Sequence, residues 1–353
     1  MMMLEQFTVE NFKAFKSLEL KDLGHINIFV GDNNVGKTCL LQALALSIYL
    51  EYYHVNTREL KEKLPLLFRS TIQNLFFKQD SSQSISLEHS KIEETIIVQR
   101  IESKTIIQFK EKDSVIFSNK SSVIGDSNPQ SCHFCLDIDS FKVSNDVYVL
   151  DNPLQELNRL CYLPTETAYK PLATQNYNHF VDEDLEAEEK ISNTLRRLDK
   201  RLKDIRYTID TNLNAQLTIG LEGMPKRLPL ESMGDGFAKL LGLACCLEKQ
   251  GVSYTCIDEP ENGFHYKTQT SFWKLLANWS LEGDKQSFIA THSYELISCL
   301  NDLLTAAPTL LERGLKVRVH RLERDEADPE KINVITMTEE GLSTLIAMNL
   351  EIR

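Results

Sequence analysis

The residues of this sequence that are best suited to chemistry lie in the segment GDNNVGKT, residues 31–38. Glycine tolerates unusual backbone angles, so Gly31 and Gly36 let the chain turn with its N–H groups pointing at phosphate oxygens. At this spacing the Lys37 ammonium would reach the β and γ phosphates of a nucleotide, and the Thr38 hydroxyl would bind Mg²⁺. The segment predicts a phosphate-binding loop; the alternative is a chance glycine-rich turn.

The flanks of this loop have the patterns that the motif requires. Residues 25–31 are a short apolar run rich in β-branched side chains, which predicts a strand, and residues 38–49 predict a helix. The helix N-terminus would add its dipole to phosphate binding. We assign the loop to ATP through Gly31, Asn33, Asn34, Gly36, Lys37, Thr38 and Cys39.

A second segment, YTCIDEPENGFH at residues 254–265, offers two adjacent carboxylates. Residues 254–257 predict a buried strand, and catalytic groups in a parallel sheet lie at the carboxyl ends of strands. Asp258 would hold Mg²⁺, directly or through water, and Glu259 would polarise the water that attacks the γ-phosphate. The alternative is a pair of acidic surface residues after a strand.

A third strand is predicted at residues 286–290 and ends in Thr291-His292-Ser293. A neutral His292 at that position could hydrogen-bond the γ-phosphate and sense its presence. The alternative is an ordinary loop histidine. Together the three segments predict an ATPase in which Lys37, Glu259 and His292 are the catalytic residues, and Thr38 and Asp258 are the metal ligands.

Further segments occur in a characteristic order. PLESMGDGF, residues 229–237, precedes a predicted helix at residues 238–249, and the chain opens with FTVENFKAF at residues 7–15. With ENGFH at 261–265 and ATHS at 290–293, these segments resemble the signature, opening strand, D-loop and switch histidine of ABC-type ATPases of the SMC, RecF and OLD group. The resemblance extends to their small prokaryotic relatives. Transporter ATPases usually have LSGGQ where this chain has ESMGDG, which favours the soluble branch.

The resemblance implies an α/β P-loop NTPase fold of the ABC-type head class, with a mostly parallel core sheet, an antiparallel β subdomain and a short helical lobe. We expect one ATPase domain over residues 1–353. Within it we expect a phosphate-loop half (1–160), an inserted helical lobe (161–215) and a half carrying the signature, the carboxylates and the histidine (216–353).

The resemblance also implies that two heads sandwich two ATP molecules in a head-to-head dimer or higher oligomer. Ser232, Gly234 and Gly236 of one subunit would contact the γ-phosphate bound by the other, since a hydroxyl, glycine N–H groups and a helix N-terminus form an anion site. The alternative for this segment is a simple helix entry. We also assign Lys13, in the opening segment, to the nucleotide site.

The middle of the chain predicts the two subdomains. Residues 84–108 predict successive strands, and residues 113–117 and 141–150 continue the pattern. Residues 183–206 predict one helix about 35 Å long. Its apolar stripe has steps of four and three and comprises Ile191, Leu195, Leu198, Leu202 and Ile205.

Charge and composition limit the partners. The net charge is −12, from 39 basic and 51 acidic residues, which argues against a strong general DNA binder. The best candidate patch for nucleic acid comprises Arg196, Arg197, Lys200, Arg201, Lys203 and Arg206; the preferred alternative is a solvated face. No apolar run approaches the ~20 residues that span a bilayer, and no signal peptide is visible, so we expect a cytoplasmic protein without a membrane partner.

The eight cysteines indicate a reduced protein. Cys39, Cys245, Cys246 and Cys256 lie in predicted helices or strands, which favours buried small side chains. Cys132 and Cys135 have the spacing of half a zinc site, but the sequence has no second pair at the required distance. A strand-edge pair is the preferred interpretation.

The C-terminal segment and the family resemblance both bear on the biological role. About 60 residues follow His292, with strands predicted at 315–320 and 332–338, a closing helix at 339–350 and a solvated acidic turn at 323–328. A Toprim nuclease domain has no room there. The resemblance leads to the hypothesis of a regulatory ATPase of a prokaryotic anti-phage defence module with a separately encoded effector such as a nuclease. The alternatives are a RecF-like DNA repair ATPase and, less favoured, a transporter subunit.

Overall fold

A computed structural model describes most of the chain. The described residues are 3–53, 76–80, 82–90, 94–101, 104–111, 132–136, 159–165, 169–174, 177, 187–209, 215–249, 251–262, 264–283 and 285–347. The strands are β1 Phe7–Phe12, β2 Phe15–Leu20, β3 Ile26–Gly31, β4 Ile85–His89, β5 Glu94–Ile101, β6 Lys104–Glu111, β7 Cys132–Leu136, β8 Leu160–Leu163, β9 Leu202–Ile209, β10 Ala215–Leu221, β11 Leu228–Pro229, β12 Tyr254–Asp258, β13 Gln286–Ala290, β14 Val317–Arg324 and β15 Ile332–Thr338. The helices are α1 Lys37–Tyr53, α2 Ala187–Leu198, α3 Asp235–Glu248, α4 Tyr266–Ser280, α5 Tyr294–Ala306, α6 Thr309–Glu312 and α7 Glu339–Ala347.

The core sheet has the order β15-β14-β3-β13-β12-β8. Its pairings are parallel except for β15, which is antiparallel to β14. Every residue of β3, β12 and β13 is buried, as expected for strands covered on both faces. Phe29 pairs with Ala290, and Ala290 pairs with Asp258, so these strands end side by side. The predicted mostly parallel core is confirmed.

Helices and a second sheet cover the two faces of the core. The antiparallel sheet has the order β2-β1-β4-β5-β6-β7, and α1 packs between it and the core in a cluster that includes Phe7, Phe29, Leu44 and Phe288. The opposite face, represented by Ile28, packs against α3, α4 and α5. Strands β4 to β6 confirm the antiparallel subdomain expected over residues 84–108; the strands predicted at 113–117 and 141–150 lie outside the described residues.

The prediction of a single helix over residues 183–206 is wrong for the second half of that range. Helix α2 ends at Leu198, and Leu202 begins strand β9; residues 183–186 lie outside the described part. The carboxylate of Asp199 accepts hydrogen bonds from the backbone N–H and guanidinium of Arg201, which stabilises a turn. The Arg196 guanidinium then donates to the Lys203 carbonyl. A three-stranded sheet in the order β11-β10-β9, absent from the sequence expectation, therefore accompanies the helix.

Several basic residues of the candidate nucleic-acid patch pair with neighbouring carboxylates. Arg201 lies 2.8 Å from Asp199, and Arg206 lies 3.0 Å from Asp204. Local pairing reduces the positive field that phosphate binding requires. This geometry favours the solvated-face interpretation.

The cysteines and the C-terminal elements largely follow expectation. Cys245, Cys246 and Cys256 are buried as thiols, and Cys39 is half-buried. Strand β7, which contains both Cys132 and Cys135, is an edge strand of its sheet. Helix α7 ends at Ala347 within the described part.

The acidic loop is a turn in which the Asp325 carboxylate accepts from the N–H groups of Ala327 and Asp328. Over the described ranges no group of three or more histidine, cysteine or acidic side chains is arranged to hold a metal ion. None of the helices in those ranges is long and apolar enough to span a membrane.

Candidate nucleotide-binding site

The loop between β3 and α1 has a backbone that its two glycines make possible. Gly31 has φ 137° and Gly36 has φ 111°, a region that side chains rarely allow. A Cβ atom on Gly31 would lie 2.3 Å from the Leu322 carbonyl oxygen, and one on Gly36 would lie 3.0 Å from the Phe15 ring. The β14 strand and the β1–β2 hairpin therefore press on the loop and hold its shape.

Lys37 is buried within this loop. Its Nζ donates to the carbonyl oxygens of Gly31 at 2.8 Å and Asp32 at 2.9 Å. Burial lowers the pKa of Lys37, and the carboxylates of Glu259 and Asp258 oppose that change. The ammonium is thus held at the site where phosphate oxygens would bind.

The Thr38 hydroxyl meets the Asp258 carboxylate, 220 positions away in sequence. Thr38 Oγ1 and Thr165 Oγ1 each donate to Asp258 Oδ2 at 2.9 Å. Asp258 is only 4% exposed, and its Oδ1 is buried without a hydrogen-bond partner. Burial raises the pKa of Asp258, while the two hydroxyls act in the opposite direction. A buried carboxylate oxygen without a donor, beside a threonine hydroxyl, fits the oxygen ligands that Mg²⁺ takes.

Thr165 is a site residue that sequence reasoning missed. It follows β8, which pairs in parallel with β12, so the two strand ends bring Thr165 to Asp258.

Glu259 takes a left-handed backbone conformation with φ 47°, which costs about 1 to 2 kcal/mol for a residue with a side chain. Its N–H donates to the Ala290 carbonyl at 2.9 Å. Its Oε2 accepts from Asn262 Nδ2 at 3.2 Å, and its Oε1 lies 3.3 Å from His292 Nδ1. The strained turn directs the carboxylate toward His292, and strain of this kind is common at active sites.

The imidazole of His292 faces two carboxylates. Nδ1 lies 3.3 Å from Glu259 Oε1 and 3.5 Å from Glu261 Oε1, so Nδ1 carries a proton in the favourable arrangement. A neutral ring protonated at Nδ1 has only an acceptor at Nε2 and cannot donate to phosphate. A ring that contacts these carboxylates through Nδ1–H and also donates to phosphate through Nε2–H needs both nitrogens protonated, whereas the neutral donor expected from sequence would keep only one of these two contacts.

The other residues assigned to the nucleotide site lie at different places around the loop. Asn33 and Asn34 are exposed at the loop tip, and the Asn34 carbonyl accepts from Arg324 Nη2 at 2.9 Å. Cys39 is half-buried, and burial raises the pKa of its thiol. Lys13 Nζ donates to Gln42 Oε1 on α1 at 2.6 Å. Lys13 therefore lies against the first helix rather than at the loop tip.

The signature residues lie on the surface at the start of α3. Ser232 ends a short 3₁₀ turn, Gly234 is the N-cap residue, and both are exposed. Because the N-cap residue is a glycine, it provides no side-chain cap for the helix. A Cβ atom at Gly234 would meet no atom within 4 Å. Gly236, in the first turn, packs near Thr268, 3.0 Å from its would-be Cβ.

Helix α3 is tied to the turn after β12 by a buried lysine. Lys239 Nζ donates to the Pro260 carbonyl at 3.3 Å and also to the Asn262 carbonyl. It lies 4.6 Å from the Tyr169 ring centroid and 5.1 Å from that of Phe264. The signature helix and the turn that carries Glu259 are therefore linked within one subunit.

Sequence comparison identifies the family. Residues 26–298 match the family described as AAA domain, putative AbiEii toxin, Type IV TA system, a range from β3 through the loop and both carboxylates to α5. A Helicobacter pylori protein named ATP/GTP phosphatase is 23% identical over 339 residues, which is 86% of this chain and 88% of that protein.

Comparison with solved structures identifies the fold. A solved structure of the SmcHead bound to the C-winged helix domain of ScpA is 12% identical with a TM-score of 0.54. The match covers 96% of this chain and 99% of that chain. An Smc head from Pyrococcus furiosus, with an extended coiled coil and bound to the C-terminal domain of ScpA, is 10% identical with a TM-score of 0.50. The match covers 99% of this chain and 100% of that chain. The chain belongs to the AAA domain, putative AbiEii toxin, Type IV TA system family, and it is a P-loop ATPase with an SMC-type head fold.

Proposed function

We propose that this ATPase binds Mg-ATP at the loop of residues 31–38 and hydrolyses it in a head-to-head dimer that encloses two nucleotides. The observation that carries the proposal of catalysis is the hydrogen bond from the Thr38 hydroxyl to Asp258, whose second carboxylate oxygen is buried without a donor. Mg²⁺ at this site would neutralise phosphate charge. Lys37 would bind the phosphate oxygens, and Thr38 and Asp258 would hold the metal.

In this proposal Glu259 acts on the attacking water, and His292 contacts the γ-phosphate. The Glu259 carboxylate lies beside His292 and accepts a hydrogen bond from Asn262; from this position it would orient the water and accept its proton. His292, with Nδ1 against the carboxylates, would donate to the γ-phosphate through Nε2. In this arrangement catalysis consists of positioning and charge stabilisation, as in other phosphoryl transfer enzymes.

The exposed signature supports the sandwich dimer. Ser232 and Gly234 lie on the surface, at a helix N-terminus that no side chain caps. Such a terminus offers N–H groups and a favourable dipole to an anion. A partner subunit would bring its γ-phosphate to this surface, and the dimer would open after hydrolysis because only ATP makes both sets of contacts.

A mixing experiment tests action in trans. Lys37→Ala disables the phosphate loop, and Gly234→Glu places a carboxylate on the signature, where the subunit itself has open space. Each variant alone should be inactive. An equal mixture should recover about a quarter of the wild-type rate, because half of randomly formed dimers are mixed and each holds one complete site.

The control for this experiment is Met224→Glu, which adds the same charge at a side chain that is 49% exposed in the β10–β11 turn. Its rate should stay near that of the wild type. A mixture as inactive as its components would remove the signature role of Ser232, Gly234 and Gly236.

The biological role that we propose is a regulatory ATPase of a prokaryotic anti-phage defence module, acting on a separately encoded effector such as a nuclease. The description of the family as a putative toxin of a type IV toxin–antitoxin system supports a role in this general class. Tagged Glu259→Gln protein should capture a specific partner chain with Mg-ATP and release it without nucleotide. ATP-independent capture, or capture of DNA alone, would contradict this role.

A RecF-like DNA repair ATPase is the second candidate. Its support is the opening segment of residues 7–15 and the SMC-type fold. The net charge of −12 and the paired Arg201 and Arg206 weigh against it. ATP-dependent DNA binding that weakens steeply between 50 and 200 mM salt would favour this alternative.

A further inference from the structure

The Glu261 side chain lies in the turn after β12 and contacts the loop after β13. It is only 9% exposed. Its Oε1 accepts from Thr291 Oγ1 at 2.7 Å and from the His292 backbone N–H at 3.3 Å, and lies 3.5 Å from His292 Nδ1. One carboxylate oxygen thus contacts the hydroxyl, the backbone and the ring of two consecutive residues.

The turn that carries Glu261 is held from the other side by α3. Lys239 Nζ donates to the carbonyl oxygens of Pro260 and Asn262, the residues on either side of Glu261. The positive charge of Lys239 and the negative charge of Glu261 attract each other, although burial lowers the pKa of Lys239. The turn is therefore clamped at its backbone, and its carboxylate is fixed toward the β13 loop.

The arrangement determines what the His292 ring can do. With two carboxylates facing Nδ1, that nitrogen is held by the protein, and Nε2 is the ring nitrogen available to a ligand. The Thr291 hydroxyl that Glu261 accepts from also receives a hydrogen bond from the Ser293 N–H at 3.0 Å. Glu261 therefore fixes the loop conformation from residue 291 to residue 293 as well as the ring.

We propose that Glu261 is a positioning residue that holds His292 with Nε2 directed at the γ-phosphate, and so sets the preference of the site for ATP over ADP. The inference rests on the γ-phosphate role of His292 in the proposed function. Glu261 contacts no reacting atom in this scheme. It acts through His292, whereas Glu259 acts on the water.

The test compares the binding of ADP and of a non-hydrolysable ATP analogue, both with Mg²⁺, by titration calorimetry. Glu261→Ala should weaken binding of the ATP analogue roughly tenfold or more, the usual effect of losing a hydrogen bond to a charged group, and leave ADP affinity unchanged. Glu261→Gln should restore part of the preference, because an amide oxygen still accepts from Thr291 and from the His292 N–H. An exposed acid, Glu326, supplies the control variant Glu326→Ala, which should match the wild type.

Two comparisons separate the inference from the proposal on which it rests. If His292→Ala keeps the full preference for the ATP analogue, the γ-phosphate role of His292 is wrong. If His292→Ala loses the preference and Glu261→Ala keeps it, only the role of Glu261 is overturned. The double variant should bind like His292→Ala alone, because both changes remove the same contact. Equal weakening of ADP and analogue binding by both Glu261 variants would show a merely structural residue and would also overturn the inference.

Discussion

The Glu259→Gln variant should separate catalysis from stability. Glutamine has the same shape, and its amide oxygen can still accept from Asn262 Nδ2. The pair between Glu259 and His292 is 3.3 Å long, and the two side chains are 32% and 48% exposed, so it contributes under about 1 kcal/mol to folding. We therefore expect the free energy of unfolding to change by less than that amount.

The expected effect on turnover is much larger. A positioned general base contributes about 10² to 10⁴ in rate, which is about 3 to 5 kcal/mol in the activation barrier. The variant should lose this factor in kcat for ATP hydrolysis while its affinity for Mg-ATP stays near that of the wild type. The contacts of Lys37, Thr38 and Asp258, which we propose bind the nucleotide and its metal, are untouched.

The assay is steady-state phosphate release together with nucleotide binding and urea unfolding on the same preparations. Asn262→Ala is the matched comparison, since it removes only a neutral contact to Glu259 and should lower kcat far less. A Glu259→Gln protein that hydrolyses ATP within threefold of the wild-type rate would refute the assignment of Glu259 as the base. Loss of activity accompanied by loss of several kcal/mol of stability would refute the argument that the carboxylate acts on the water.

Three further predictions follow from single contacts. Lys37→Ala should abolish nucleotide binding measured by calorimetry, because it removes the ammonium held by the Gly31 and Asp32 carbonyls; residual binding within tenfold of wild type would contradict this. Thr165→Val should raise the Mg²⁺ concentration for half-maximal ATPase about tenfold, the usual cost of losing a residue that orients a metal ligand, whereas Thr165→Ser should not. Burial lowers the pKa of His320 to about 4, so the unfolded chain binds a proton below pH 6.5 that the folded chain does not. Stability should fall by about 3 kcal/mol as pH drops from 6.5 toward 4, and His320→Gln should remove this component in urea unfolding across that range.

Features set by neighbouring residues in the chain were predictable. The strand before Gly31, the loop and helix α1 follow from apolar runs and glycine spacing that span about 25 residues. Strand β15 was predicted with its observed bounds, Ile332–Thr338. Strand β12 ends in Asp258, as its apolar pattern indicated. Parallel pairing then brings the ends of β3, β12 and β13 together.

Features set by distant contacts were not predictable. Leu195, Leu202 and Ile205 satisfy helical spacing, yet the chain turns between them where the Asp199 carboxylate accepts a hydrogen bond from the Arg201 N–H. Periodicity carries no information about that bond. Thr165 joins the site through Asp258, 93 positions away, and Glu261 contacts Thr291, 30 positions away. A lone threonine or a turn glutamate has no local pattern that distinguishes it from a solvated residue.

The central claim is that ATP joins two heads through the signature surface, and the most direct test is the mass of Glu259→Gln in solution by light scattering. Without nucleotide the particle should have the mass of one chain, 40.5 kDa. With Mg-ATP its mass should double, and Gly234→Glu in the same background should prevent the change. A mass that is the same with and without Mg-ATP would contradict the sandwich mechanism and the assignment of Ser232, Gly234 and Gly236 to it.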